Sequence, residues 1–218
     1  MQLSRHARRR ALTEESIIRA AGDLFVSEGY ARTSMAAVAE RAGVAERTVF
    51  LRFASKVELF QRVVEVAVKG DTDDLPLPQR EWSVRAMTAP TLDERILAFA
   101  DGVSEMNERL WRLMAVNGEV EGSEPTVQQS AAVWRRDTSD FLTAFWESAA
   151  ASGLISPAAN VRWLADTTVV LSAAESRLLI ARSFGWPREE YRNWIASTWH
   201  ALAQVTDAPT DERNTGKR

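Results

Sequence analysis

The sequence has no cysteine and only two histidines, His6 and His200. These absences exclude a disulfide framework, a thiolate metal site and a cysteine nucleophile, and leave too few imidazoles for a histidine-rich metal site within one chain. No uncharged apolar run approaches the ~18–20 residues that a helix needs to cross a bilayer. The N-terminus is basic (Arg5, Arg8, Arg9, Arg10), but Thr13-Glu14-Glu15 follows where a signal peptide would carry its apolar stretch. A soluble protein of the cytoplasm, with no membrane partner and no cofactor, is therefore expected.

What is present is an ordinary globular composition, 45% hydrophobic and 26% charged over 218 residues. A chain of this length can form one or two domains and bury ~70% of the surface it would expose unfolded. Its net charge of −3 hides an asymmetry. Residues 1–69 hold 12 Lys/Arg against 8 Asp/Glu, a net of +4, whereas residues 70–218 hold 15 against 22, a net of −7. All eight tryptophans lie beyond residue 70. A small basic part joined to a larger acidic, tryptophan-rich part points to polyanion binding in the first and a different task in the second.

Apolar residues recur at helical spacing almost throughout, which predicts an all-α protein. The first helix is expected to start at Thr13 as N-cap, with Glu14 and Glu15 in its first turn and Gly29 as its stop. Short helices are expected from about Ser34 to Arg41 and from about Ala45 to Leu51. Ser55-Lys56-Val57-Glu58 has the spacing of a capping box, opening a helix to about Lys69. Residues 70–90 read as a loop or linker. Longer helices follow at about 91–117, from Pro125 to before Gly153, at 158–184 and at 187–205, and the tail from Asp207 is polar. The implied organisation is a basic N-terminal domain at 1–54, a connecting helix at 55–69, a larger domain at 70–206 and a tail at 207–218.

The segment from Ser34 to Phe53 has helix-turn-helix spacing. Ala39 stands where two helices cross closely, Gly43 permits the positive φ of the turn, and Val49 packs the second helix back onto the first. The same spacing also suits an αα-corner in a helical enzyme. Against that alternative, Glu46, Arg47, Thr48, Leu51 and Arg52 leave a polar, partly basic surface, as a helix in a major groove requires. No nucleophile–base pair, metal cluster or phosphate loop supports an enzyme.

Residues 13–69 resemble the N-terminal domain of the tetracycline-repressor (TetR) family of bacterial transcription regulators. The run Ala20-Ala21…Leu24-Phe25…Gly29-Tyr30…Thr33-Ser34…Ala39…Ala42-Gly43-Val44…Phe50…Phe53…Ser55-Lys56…Glu58-Leu59 follows its signature. The resemblance implies phosphate contacts from Thr33 and Ser34, and base-edge contacts from Ala45, Glu46, Arg47 and Thr48. It also implies a phosphate held by Lys56 at a helix N-terminus. Phe50 stands where the family usually has tyrosine and lacks the hydroxyl for a phosphate bond, whereas Arg52 can supply a charged contact.

The resemblance further implies a homodimer on a pseudo-palindromic operator in double-stranded DNA, and a C-terminal domain that binds a small hydrophobic effector and dimerises. By position, the effector pocket would draw on Phe99, Val103, Met106, Asn107, Leu110, Trp111, Met114, Trp134, Phe141, Phe145 and Trp146. Any one of these also reads as a core residue. Glu175 interrupts an apolar stretch, so it is expected either to pair with an arginine such as Arg177 or Arg182, or to face a pocket or interface. Ala165, Ser172, Tyr191, Trp194, Ile195, Trp199 and Leu202 are the expected dimer contacts. The expected protein is thus a one-component repressor released by its effector. The alternative is a DNA-binding dimer whose second domain serves assembly alone.

Overall fold

The structure is a computed structural model and describes residues 5–73 and 75–205, with side chains from residue 8 onward. The expected C-terminal tail and the side chains of Arg5 and His6 lie outside the described residues. Ten α-helices and no strand are present among them: α1 (Arg5–Glu28), α2 (Met35–Ala42), α3 (Glu46–Phe50), α4 (Lys56–Lys69), α5 (Glu81–Thr88), α6 (Leu92–Ser123), α7 (Pro125–Ala151), α8 (Val161–Ser172), α9 (Ala174–Phe184) and α10 (Arg188–Ala203). A 3-10 turn, Leu77–Gln79, precedes α5. No described helix is long and apolar enough to cross a membrane.

The chain forms two compact units. The first joins the N-terminal segment through Asp74 to Arg109–Ala131, and the second holds Leu75–Glu108 with Ala132 onward. Helices α6 and α7 therefore each contribute residues to both units.

In the first unit, Ile17, Ala21, Leu24 and Phe25 form the buried stripe of α1 and meet Val38, Val49, Leu59, Phe60 and Val63 in one core. Phe25, Tyr30 and Phe60 pack as a trio of rings with centroids 5.2–5.7 Å apart. In the second unit, Phe99 stacks on Trp199 at 4.3 Å, and Phe145 and Trp146 complete an aromatic centre lined by Leu142, Leu164, Tyr191 and Ile195.

Three expected boundaries are corrected. Helix α1 begins eight residues before Thr13, whose hydroxyl is not a cap but donates back to the Arg9 carbonyl at 2.9 Å. The supposed linker at 70–90 contains α5, because Trp82 is drawn against Phe99 and Phe141 and Ala86 is fully buried. The expected helix at 158–184 is two helices, broken at Ala173, whose backbone turns extended (φ −62°, ψ 147°). Three polar groups satisfy carbonyls around that break. Ser172 Oγ donates to Thr168 O and Ser176 Oγ to Val170 O, each at 2.5 Å, and Asn107 Nδ2 donates to Ser172 O at 2.8 Å.

Candidate nucleic-acid interface

The local chemistry of residues 29–58 fixes a helix-turn-helix. Helix α2 starts at Ser34, whose hydroxyl accepts from Ala37 N at 3.1 Å, and ends at Gly43 in the left-handed region (φ 68°). The Gly43 N–H reaches Glu40 O and the Val44 N–H reaches Ala39 O, so the turn's orphan carbonyls are satisfied. Ser16 Oγ donates to Ala42 O at 3.2 Å and ties this turn to α1. Ala39 and Val49 are buried where α2 and α3 meet. With Val49 inward, α3 exposes Glu46, Arg47 and Phe50, preceded by Ala45 and followed by Leu51, while Thr48 and Arg52 are half-buried.

The remaining expected DNA contacts are placed unequally. Ser34 is exposed, but Thr33 is buried and its hydroxyl donates to Gly29 O at 2.9 Å, so that side chain is not presented to a ligand. Lys56 opens α4, where Ser55 Oγ accepts from Glu58 N at 3.2 Å. Glu58 Oε2 reaches back one residue further than in the usual box and accepts from Ala54 N at 2.8 Å. The Lys56 ammonium donates to Tyr30 O at 2.9 Å and lies 4.3 Å from the centre of the Tyr30 ring. Arg8, Arg9 and Arg10 are exposed on α1, as helix rather than as a free arm.

The fold adds residues that spacing did not single out. The Tyr30 hydroxyl donates to Glu124 Oε1 at 3.2 Å, beside the start of α7. Burial, followed by the Glu124 charge and hydrogen bond, pushes that phenol up to about 12. Gln61 Nε2 donates to Ser130 Oγ at 3.0 Å and Thr126 O at 3.2 Å. At the other end of α4, Arg109 Nε donates to Ala67 O at 2.8 Å, capping a helix that ends at Gly70 (φ 90°). A Cβ at Gly70 would sit 3.1 Å from that guanidinium. Helix α4, whose first residue is Lys56, is thus held in its second turn and at its C-terminal end by residues 109–130. No local pattern announces these partners, because each is at least 42 residues from the group it holds.

Residues 17–63 match the model of the family "Bacterial regulatory proteins, tetR family". The match runs from Ile17 in α1 through the helix-turn-helix to Val63 in α4. No curated protein matches the sequence of this chain. Among solved structures, it is similar to a putative TetR-family transcriptional regulator from Mesorhizobium loti at 17% identity and a TM-score of 0.64, over 89% of this chain and 96% of that one. It is similar also to the fatty acid degradation regulator FadR from Bacillus halodurans (14% identity, TM-score 0.66, 88% and 94% covered). A third is MexZ, a key repressor responsible for antibiotic resistance in Pseudomonas aeruginosa (16% identity, TM-score 0.65, 89% and 96% covered).

The expected effector residues are divided between the units. Phe99, Val103, Asn107, Phe145 and Trp146 are buried in the second unit, with Met106 and Phe141 packed against them. Trp134 is partly exposed, and Leu110, Trp111 and Met114 belong to the first unit. Two surface clefts, of about 420 and 200 Å³, are lined by none of these residues. Within the second unit lies a buried polar cluster. Asn107 Nδ2 donates to Ser172 O and to the Tyr191 hydroxyl at 2.9 Å, and Arg177, 2% exposed, pairs with Glu108 Oε2 at 2.7 Å. Asn107 Oδ1 is buried with no hydrogen-bond partner. Burial pushes the Tyr191 phenol up to about 12. Glu175 is exposed in the first turn of α9, and Arg177 pairs with Glu108.

The expected dimer contacts differ in their burial within the single chain. Tyr191, Ile195 and Trp199 have no exposed surface, and Ala165 and Ser172 are buried, so these five pack the core of their own chain. Trp194 and Leu202 are half-buried. The large apolar side chains that α8 and α9 do expose are Val170, Leu179 and Phe184, at 63–66%.

Proposed function

We propose that the protein is a homodimeric transcriptional repressor that leaves a pseudo-palindromic operator when a small hydrophobic effector binds its second unit. One observation carries this reading. Asn107, whose carboxamide oxygen is buried without a donor, and Arg109, which caps α4, are two residues apart on the continuous helix α6. A ligand that engages Asn107 Oδ1 and displaces α6 would act on the group that holds α4, and with it Lys56 and the α3 reading face.

DNA contact falls to Arg47, Thr48, Ala45 and Glu46 at base edges and to Ser34, Arg52 and Lys56 at phosphates. Phe50 contributes an apolar face. Twofold assembly falls to the exposed apolar side chains Val170, Leu179 and Phe184, and a twofold operator offers its half-sites ~34–36 Å apart on successive major grooves. The effector site falls to Asn107 with Phe99, Val103, Phe141, Phe145 and Trp146 of the same unit. Their rings favour a flat, apolar molecule carrying one hydrogen-bond donor.

The test has two stages at fixed salt. Purified protein first selects fragments from genomic DNA, and an enriched sequence with half-sites one helical turn apart supports the dimeric reader. Flat aromatic alcohols and amines are then titrated into the protein–operator complex. An effector must weaken operator binding ~5–150-fold and be weakened by operator equally. A saturating ligand that leaves operator affinity unchanged overturns the release mechanism.

A second reading has its own support. Phe99, Phe145, Trp146 and Trp199 interlock with centroids 4.3–6.2 Å apart, as a core serving assembly alone would. Under that reading no small molecule raises the melting temperature, and dimerisation alone controls DNA binding.

A further inference from the structure

Leu51 is 72% exposed, more than any other large apolar side chain among the described residues. It occupies the C-cap of α3, and its N–H bonds to Arg47 O at 3.0 Å. Nothing in the fold asks for leucine there. The neighbours Val49 and Phe53 anchor this turn in the core, and Leu51 points away from both. Isolated exposed leucines are common on protein surfaces and by themselves mean little. This one has a particular setting: four residues after Arg47, so the two share one face of the helix, beside Phe50 at 48% exposure. On its own turn Arg47 and Arg52 supply positive charge, and Arg8, Arg9, Arg10 and Arg41 are further exposed cations of the same unit, on α1 and α2. That charge complements a polyanion rather than a second protein copy.

We infer that Leu51 is a specificity-determining residue that reads the 5-methyl group of a thymine in the major groove, at a base pair adjacent to the one read by Arg47. The inference rests on the DNA-reading function proposed above. The chemistry is selective because leucine has neither donor nor acceptor and so cannot answer the polar edges of guanine, cytosine or adenine. The thymine methyl is the one apolar group that the major-groove edges offer. Burying that methyl against Leu51 removes both apolar surfaces from water.

The experiment uses the full chain and an operator obtained by selection from random DNA. Each thymine of the half-site is replaced in turn by deoxyuridine, which removes only the methyl group. Affinity is measured for the wild type, Leu51→Ala and Arg47→Ala. Wild type should lose about fourfold per half-site at one thymine, the factor corresponding to one buried methyl group. Leu51→Ala should bind the thymine and deoxyuridine operators equally, and Arg47→Ala should keep the difference. Because Leu51 is exposed, its variant should melt with the wild type. An operator in which no methyl matters, or a methyl effect that persists in Leu51→Ala, overturns the assignment while leaving the DNA reader intact. If Leu51→Ala shifts the sedimentation of free protein with methyl sensitivity unchanged, the side chain covers protein and the assignment also falls. Failure to enrich any DNA sequence overturns the inference together with the function it rests on.

Discussion

The Lys56 ammonium sits 4.3 Å from the centre of the Tyr30 ring and donates to the Tyr30 carbonyl oxygen at 2.9 Å. A lysine at the first position of a helix is disfavoured by the helix dipole, and here a carbonyl and a π-face offset that cost. An ammonium has three donors, so a phosphate can join these partners rather than replace them. Lys56→Ala is expected to weaken binding to all DNA sequences alike and to lower the salt slope by about one unit per subunit. Affinity measured across a salt series for specific and random duplexes checks this. Sequence-dependent loss would place Lys56 against bases.

Arg47→Ala should behave oppositely, relaxing preference at one base position per half-site by ~1–3 kcal/mol while leaving the salt slope nearly unchanged. Repeating the selection with the variant reads this directly. A uniform loss over all positions would mean that another residue reads the base.

Leu179→Arg tests the proposed dimer face. At 64% exposure the substitution should leave the fold intact, and a charge in an apolar interface should give monomers by sedimentation. Operator affinity should fall with it. A variant that still sediments as a dimer moves the interface elsewhere.

Gly102 lies in α6 directly beneath the Trp82 indole, and a Cβ there would fall inside the ring. Gly102→Ala should therefore destabilise by about 1–3 kcal/mol despite alanine's better helix propensity. Calorimetry should show partial recovery in the double variant with Trp82→Leu, because the two changes share one contact. Additive losses would mean that Trp82 is not what fills the space.

The chain has two tyrosines, Tyr30 and Tyr191, and both phenols are pushed up to about 12, chiefly by burial. A raised pKa in the folded state means that the associated stability is complete below the unfolded value of about 10 and is lost as pH rises toward 12. Tyrosinate absorbance at pH about 11 should thus be low in native protein and rise sharply on unfolding in denaturant. Denaturation midpoints should fall across the same window, less steeply in Tyr30→Phe.

The helix-turn-helix was legible because its determinants are local. Ser34, Ala39, Gly43, Val49 and the Ser55–Glu58 pair act within a few residues of one another, and the structure places them as the spacing requires except that Glu58 caps Ala54 N instead of Ser55 N. The start of α1 was obscured because Thr13-Glu14-Glu15 imitates a cap that the longer helix does not use. Pro76 and Pro78 masked α5, which depends on distant packing of Trp82. Among the candidate site residues, Lys56 follows from the family resemblance, whereas its neighbours Tyr30–Glu124 and the Arg109 cap join segments 42 or more residues apart. Tyr191, Ile195 and Trp199 were assigned outward because spacing identifies an apolar face without saying which partner covers it.

The break at Ala173 amounts to an exchange of suitors for one oxygen. In an unbroken helix the Ser172 carbonyl would accept from the N–H of residue 176; bent, it accepts from the Asn107 amide instead. Straightening α8 and α9 into one rod would return that oxygen to the backbone and release Asn107 and, through it, the Tyr191 hydroxyl.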